Sequence, residues 1–171
     1  MSDPAIESLL QQTTFTREEI LNIKQNFDKV AASITADDKI DKMEFRQMMA
    51  SQRDTVFVDA LFRMFDRDGS GEVDFSEFVI SLAIYQSKSK NVTDKEKLQL
   101  FFRIFDVDGD NEISLADLTT VLSSCFASNF MAVEQADVQA LCQATMARYQ
   151  LNAKGAITLD AYCKSAHQGR I

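Results

Sequence analysis

One twelve-residue run constrains this chain more than any other feature. Residues 66–77 place oxygen-bearing groups at loop positions 1, 3, 5, 9 and 12 as Asp66, Asp68, Ser70, Asp74 and Glu77, with Gly71 at position 6 and Val73 at position 8. Hard oxygen donors at this spacing fit Ca²⁺, which takes roughly six to eight such ligands. The set comprises the side chains of Asp66, Asp68 and Ser70, the Glu72 carbonyl, Asp74 directly or through water, and both oxygens of Glu77. Gly71 permits the sharp turn inside the ring, because a residue without Cβ reaches positive φ at little steric cost.

The run recurs. Residues 106–117, 40 positions downstream, supply Asp106, Asp108, Asp110, the Glu112 carbonyl, Ser114 and Asp117 in the same frame. Two weaker copies follow the same offset from the position-8 aliphatic to the exiting helix: Ile40 before Glu44 and Phe45, and Ile157 before Ala161 and Tyr162. A fourfold repeat of this kind predicts an all-α chain of four EF-hands in two paired lobes. Each lobe is expected to be linked by a short two-stranded antiparallel ladder, Ile40 with Val73 and Ile113 with Ile157. The expected lobes are residues 1–88, with the first loop degenerate and the second intact, and residues 89–171, with the third near-intact and the fourth degenerate.

Helix signals surround the loops. Thr16 with Glu19 and Thr93 with Glu96 have capping-box spacing, and Phe15 with Ile20 supplies a hydrophobic staple. Asp41 with Glu44, Asp74 with Glu77 and Ser114 with Asp117 share the N-cap to N3 spacing, so a ligand doubles as a cap. Residues 87–92 lack apolar periodicity and read as a linker. Helical spacing marks Val58, Leu61, Phe62 and Phe65, then Leu98, Phe101, Phe102 and Phe105, as core. The exiting helices add Phe75, Phe78, Val79 and Leu82, then Leu115, Leu118, Val121, Leu122 and Cys125. Met43, Met48, Met49, Ile84, Tyr85, Leu100 and Ile104 exceed that need. They either pack the lobes together or line an apolar groove for a partner helix.

The loops are not equivalent. Asp117 is one methylene shorter than Glu at position 12, which predicts weaker or less selective Ca²⁺ binding, with Mg²⁺ as a competitor or the loop held in shape without an ion. Asn111 replaces Gly at position 6 and tolerates the left-handed region. The fourth loop, residues 150–161, lacks carboxylates at positions 1, 3, 5 and 12 and carries Lys154, so no ion is expected there. The first loop offers Thr35, Asp37, Asp38, Asp41 and Glu44, but Ser33 stands where Asp is usual; it either binds through carbonyls of a longer loop or does not bind. Two Ca²⁺ sites are expected, one per lobe.

Composition excludes several classes. In 171 residues, a 46% hydrophobic fraction, thirteen Phe and a single Pro favour packed helices. The net charge of −8 is spread along the chain, 16 acids against 11 bases in residues 1–92 and 10 against 7 thereafter. Without a basic stripe, nucleic acid and anionic membranes are poor partners. Cys125, Cys142 and Cys163 have no metal-ligand spacing and suit a reducing compartment, so a cytoplasmic location is expected. No apolar stretch reaches membrane-spanning length, and Ser2 stands where myristoylation requires Gly, so no direct membrane anchor is expected. His167 is the only histidine, no nucleophile motif or phosphate loop is present, and an enzyme is not expected.

Residues 65–78, together with Lys97, Leu98 and the run from Phe102 to Asp106, resemble the central two hands of calcineurin B, the regulatory subunit of a calcium-activated serine/threonine phosphatase. Residues 29–45 are similar to the first hand of plant-type calcineurin B-like sensors, whose lengthened first loop, here residues 31–44, ends in the final Glu; those sensors pair with protein kinases. The resemblance covers residues 13–165. It implies a calcium sensor acting as a regulatory subunit that grips an amphipathic helix of a phosphatase catalytic subunit or a protein kinase, and a passive Ca²⁺ buffer is the competing reading.

Overall fold

The computed structural model describes residues 3–34, 37–49, 55–129 and 131–167; Ser2 and Thr35 lie outside them, as do the side chains of Thr55 and His167. Among the described residues the chain runs α1 (Pro4–Gln12), α2 (Arg17–Ala31), β1 (Lys39–Asp41), α3 (Lys42–Met48), α4 (Thr55–Phe65), β2 (Glu72–Asp74) and α5 (Phe75–Tyr85). It continues through α6 (Asp94–Phe105), β3 (Glu112–Ile113), α7 (Leu115–Ser128), α8 (Gln135–Met146), β4 (Ile157–Thr158) and α9 (Leu159–His167). This is an all-α EF-hand fold whose only strands, among the described residues, are the loop ladders. Two compact units form, Met1–Ala50 with Phe62–Lys97, and Ser51–Leu61 with Leu98–Ile171; the division passes within α4 and within α6.

In the first unit β1 and β2 pair antiparallel with Ile40 opposite Val73, both fully buried. Aromatic rings continue the core below the ladder. Phe27 meets Phe75 and Phe78 edge-on at 5.5 and 5.6 Å, Phe65 stacks on Phe78 at 4.9 Å, and Phe45 contacts Phe62 at 5.5 Å. Such pairs contribute about 0.5–1.5 kcal/mol each beyond their buried area. In the second unit β3 and β4 pair with Ile113 opposite Ile157. Phe102, Leu118, Val138, Cys142 and Met146 close the core around them.

The capping boxes form as the spacing predicts. Thr16 N–H donates to Glu19 Oε2 at 2.7 Å while Glu19 N–H donates to Thr16 Oγ1 at 3.2 Å. Thr93 and Glu96 repeat the exchange at 2.8 and 3.2 Å. The boxes at Asp41, Asp74 and Ser114 are present as well, so each of these exiting helices starts on its own loop.

Three features depart from expectation. Helix α1 precedes the first hand: the Asp3 carboxylate caps it by accepting from Ala5 N–H at 3.0 Å, Pro4 suits the first turn, and Ile6 and Leu9 pack with Phe15, Ile20, Val79 and Ala83. Residues 87–90 are not a free linker. Lys88 C=O accepts from Thr14 N–H at 2.7 Å and Gln12 C=O accepts from Lys90 N–H at 2.9 Å, which ties this stretch to the end of α1. Ser87 starts the turn at φ 57°, and Lys88 N–H and Ser87 N–H donate to Ala83 C=O and Ile84 C=O, the Schellman pattern that usually takes Gly. Finally, α4 buries more than one face: from Val56 to Phe65 every position is buried or half-buried. Among the residues in surplus, Ile84 and Leu100 are buried, whereas Met43, Met48 and Tyr85 are exposed.

Candidate metal centres

The entering helix delivers the first acidic residue of each loop directly. Asp66 N–H closes the last turn of α4 on Phe62 C=O at 2.9 Å, and Asp106 N–H does the same for α6 on Phe102 C=O at 3.2 Å. Both carboxylates are therefore held at a helix end, 8% and 5% exposed.

In residues 66–77 the chain wraps around Asp66. Its Oδ1 accepts from Ser70 N–H and its Oδ2 from Gly71 N–H, both at 3.0 Å. Asp68 Oδ1 accepts from Ser70 N–H at 2.9 Å, and Gly71 takes φ 87°, which a residue without Cβ reaches at least cost. Ser70 Oγ donates to Glu72 C=O at 3.0 Å. Glu77 joins the two ends of the loop. Its Oε1 accepts from Arg67 N–H and Asp68 N–H at 3.1 and 3.2 Å, and its Oε2 accepts from Asp74 N–H at 3.1 Å. Carboxylate oxygens of Asp66, Asp68 and Glu77 then lie within 4.8 Å of one another. The hydroxyl and N–H of Ser70 hold the Asp68 carboxyl below its usual range, with a smaller contribution from the Lys39 ammonium. Ser70 meets this cluster through its N–H on Asp66 and Asp68, and Asp74 meets it through its N–H on Glu77 at the cap of α5.

Residues 106–117 share the frame but differ at the end. Asp106 Oδ1 accepts from Gly109 N–H at 2.9 Å and its Oδ2 from Asn111 N–H at 3.0 Å, with Asn111 at φ 64° in the left-handed region. Asp110 Oδ1 accepts from Glu112 N–H at 2.9 Å. The converging carboxylates here are Asp106, Asp108 and Asp110. Asp117 is turned toward its cap: its Oδ2 accepts from Ser114 N–H at 2.9 Å and Ser114 Oγ–H at 2.5 Å. Burial, with the like charges of Asp110 and Asp108, pushes the Asp106 carboxyl up despite its two N–H donors.

The other two loops are shaped differently. In the fourth, Asn152 Oδ1 takes the organising role, accepting from Lys154 N–H and Ala156 N–H at 2.9 and 3.0 Å. In the first, Glu44 is wholly buried and its Oε1 accepts from Ile34 N–H at 3.3 Å, while its Oε2 accepts from Asp41 N–H at 3.1 Å, echoing Glu77. Each of these loops also sends a lysine to its neighbour. Lys39 Nζ donates to Glu72 Oε2 at 2.6 Å, and Lys154 Nζ donates to Glu112 Oε2 at 3.0 Å. Asn152 Nδ2 holds the other Glu112 oxygen at 2.8 Å. Both lysines are held above their ordinary pKa, first by these hydrogen bonds and the attached glutamates, then by further loop carboxylates: Asp68 and Asp74 for Lys39, Asp110 and Asp108 for Lys154. Sequence reasoning missed these cross-loop contacts. The one available signal was opposite charge placed diagonally across a ladder, Lys39 against Glu72.

All donors in the two acidic clusters are hard oxygens, which fits a hard divalent cation and not a soft one. Among the described residues no helix is long and apolar enough to cross a membrane. The family model of the EF-hand domain pair matches residues 60–123. The calcineurin B protein of Candida glabrata is 30% identical over 161 residues, 94% of this chain and 86% of that protein. Its counterpart in Naegleria gruberi is 28% identical over 165 residues, covering 95% and 88%, and that of Schizosaccharomyces pombe is 34% identical over 93 residues, covering 54% and 50%.

Proposed function

Because this chain belongs to the calcineurin B family of EF-hand proteins, we propose that it is a Ca²⁺-binding regulatory subunit whose target is the catalytic subunit of a calcineurin-type serine/threonine phosphatase. The observation that carries the ion site is the double reach of Glu77, from the cap at Asp74 to the backbone of Arg67 and Asp68 at the loop's start. Asp66, Asp68, Ser70, Glu72, Asp74 and Glu77 would hold one Ca²⁺. Asp106, Asp108, Asp110, Glu112, Ser114 and Asp117 would hold a second ion, Ca²⁺ or Mg²⁺. Each half of the chain, residues 1–88 and 89–171, contributes one such loop. A bound ion supplies the positive charge that lets these carboxylates share one small volume.

The exiting helices begin on the ligands themselves, so the setting of α5 follows Glu77 and that of α7 follows Asp117. Exposed Met43, Met48 and Tyr85 offer adaptable apolar surface to an amphipathic helix of the target, and the catalytic chemistry belongs to that target. Three free cysteines and the acidic balance fit a cytoplasmic protein. A second reading, a sensor for a protein kinase, draws on Glu44, which closes the first loop as Glu77 closes the second.

Two measurements test the proposal. Calorimetry should show two ion sites, with Glu77→Gln removing the tighter one; unchanged stoichiometry would refute the assignment. Capture of partners by tagged protein, with Ca²⁺ and with chelator, should retain a phosphatase catalytic subunit. Recovery of a kinase instead, only with Ca²⁺, would replace the first reading by the second.

A further inference from the structure

Position 7 of an ion loop contributes its backbone carbonyl, so the side chain there is free for another task. In both units that side chain is a glutamate, Glu72 or Glu112, and in both a lysine from the neighbouring loop holds it, at 2.6 Å from Lys39 and 3.0 Å from Lys154. The two lysines are not equivalent by sequence position: Lys39 stands in strand β1, whereas Lys154 lies three residues before β4. The same contact therefore arises from two different local geometries. Neither lysine is buried for packing, since their side chains are 51% and 73% exposed.

We propose that Lys39 and Lys154 are affinity-setting residues, each neutralising the position-7 glutamate of the ion loop in its own unit and thereby weakening that loop's hold on Ca²⁺. This rests on the reading that residues 66–77 and 106–117 bind Ca²⁺. The carboxylate at position 7 stands beside a doubly charged ion without ligating it through its side chain, so its charge acts at a distance. A lysine paired to it removes that attraction. At surface separations of several ångströms, one unit charge against a divalent ion changes affinity by roughly three- to tenfold at low ionic strength. The lysine comes in each case from a loop without the full ligand set, so a loop that lacks the full set still acts on its neighbour through a fixed charge.

The test is a Ca²⁺ titration of the full chain by competition with a fluorescent chelator, at about 0.01 M and about 1 M KCl, where screening lengths are about 30 and 3 Å. Lys154→Met should tighten the 106–117 site about three- to tenfold at low salt, leave the 66–77 site unchanged, and converge on wild type at high salt. Lys39→Met should do the reverse between sites. Lys154→Arg should stay at wild-type affinity, and Lys154→Met combined with Glu112→Gln, which restores a neutral pair, should return to it. Circular dichroism checks that each variant is folded. Unmoved or weakened binding in the methionine variants, or a gain that persists at high salt, would overturn the inference while leaving wild-type Ca²⁺ binding intact. Wild-type protein that takes up no Ca²⁺ would refute the underlying reading, and the inference with it.

Discussion

Replacing Asp117 by Glu should convert the weaker loop toward the stronger one. In residues 66–77 the position-12 carboxylate meets backbone N–H groups at both ends of the loop and lies in the cluster with Asp66 and Asp68. In residues 106–117 the cluster is Asp106, Asp108 and Asp110, and Asp117 is held at Ser114. One added C–C bond extends the reach by about 1.5 Å. It also turns the existing Ser114–Asp117 capping box into a Ser-x-x-Glu box, with the position-N3 Glu already used at Thr16 and Thr93, so the start of α7 accepts the longer acid.

Two opposing magnitudes decide the sign. Bringing a second carboxylate oxygen into the loop is comparable to a charge-assisted interaction of about 1.5–3 kcal/mol. Against it, an extra methylene at a site only 8% exposed costs about 1 kcal/mol where the chain can adjust, as a loop can. The difference, about 0.5–2 kcal/mol, corresponds to roughly two- to thirtyfold tighter Ca²⁺ binding. The assay is a chelator-competition titration in a Glu77→Gln background, so that residues 106–117 alone report. Mg²⁺ affinity should rise less, because the smaller ion favours octahedral coordination and gains little from a bidentate ligand. Equal or weaker Ca²⁺ binding would refute the reasoning and show a loop built around the shorter acid.

Other perturbations probe the frame. Phe45→Ala, at a fully buried ring against Phe62 and Phe65, should cost about 3–5 kcal/mol in denaturant unfolding of the apo protein; a loss below about 1 kcal/mol would contradict the aromatic core. Ser87→Gly should stabilise by roughly 1 kcal/mol, since Ser87 sits at φ 57° where Gly carries no Cβ penalty, and a destabilised variant would disprove the strain argument. The hydrogen bond from Lys88, aided by Thr16, holds the Glu19 carboxyl at about 2 instead of 4.5. A depressed carboxyl pKa stabilises fully above the unfolded value and loses that contribution as pH falls from about 4.5 to about 2. The denaturation midpoints of wild type and Lys88→Met should therefore differ at neutral pH and approach each other across that window; a gap constant with pH would refute the pairing.

By itself the sequence determined the two acidic loops, the pairing of Ile40 with Val73 and Ile113 with Ile157, the left-handed turn at Asn111 and the capping boxes at Thr16, Thr93, Asp41, Asp74 and Ser114. Caps and ligand turns are decided within a few residues, where side chain and backbone meet whatever the rest of the chain does, and the ladder follows from equivalent positions of a repeat. The tertiary structure decided the rest. Helix α1 gained its place from Val79 and Ala83, some 70 residues away, and the stretch after α5 was ordered by backbone bonds to Thr14 and Gln12, which leave no trace in hydrophobic periodicity. The burial of Glu44 and the grip of Lys39 and Lys154 on glutamates of neighbouring loops depend on where charged groups come to rest once the loops have paired. Polar contacts between distant segments have no repeating pattern to announce them, because each is a single pair made possible by the packing that surrounds it.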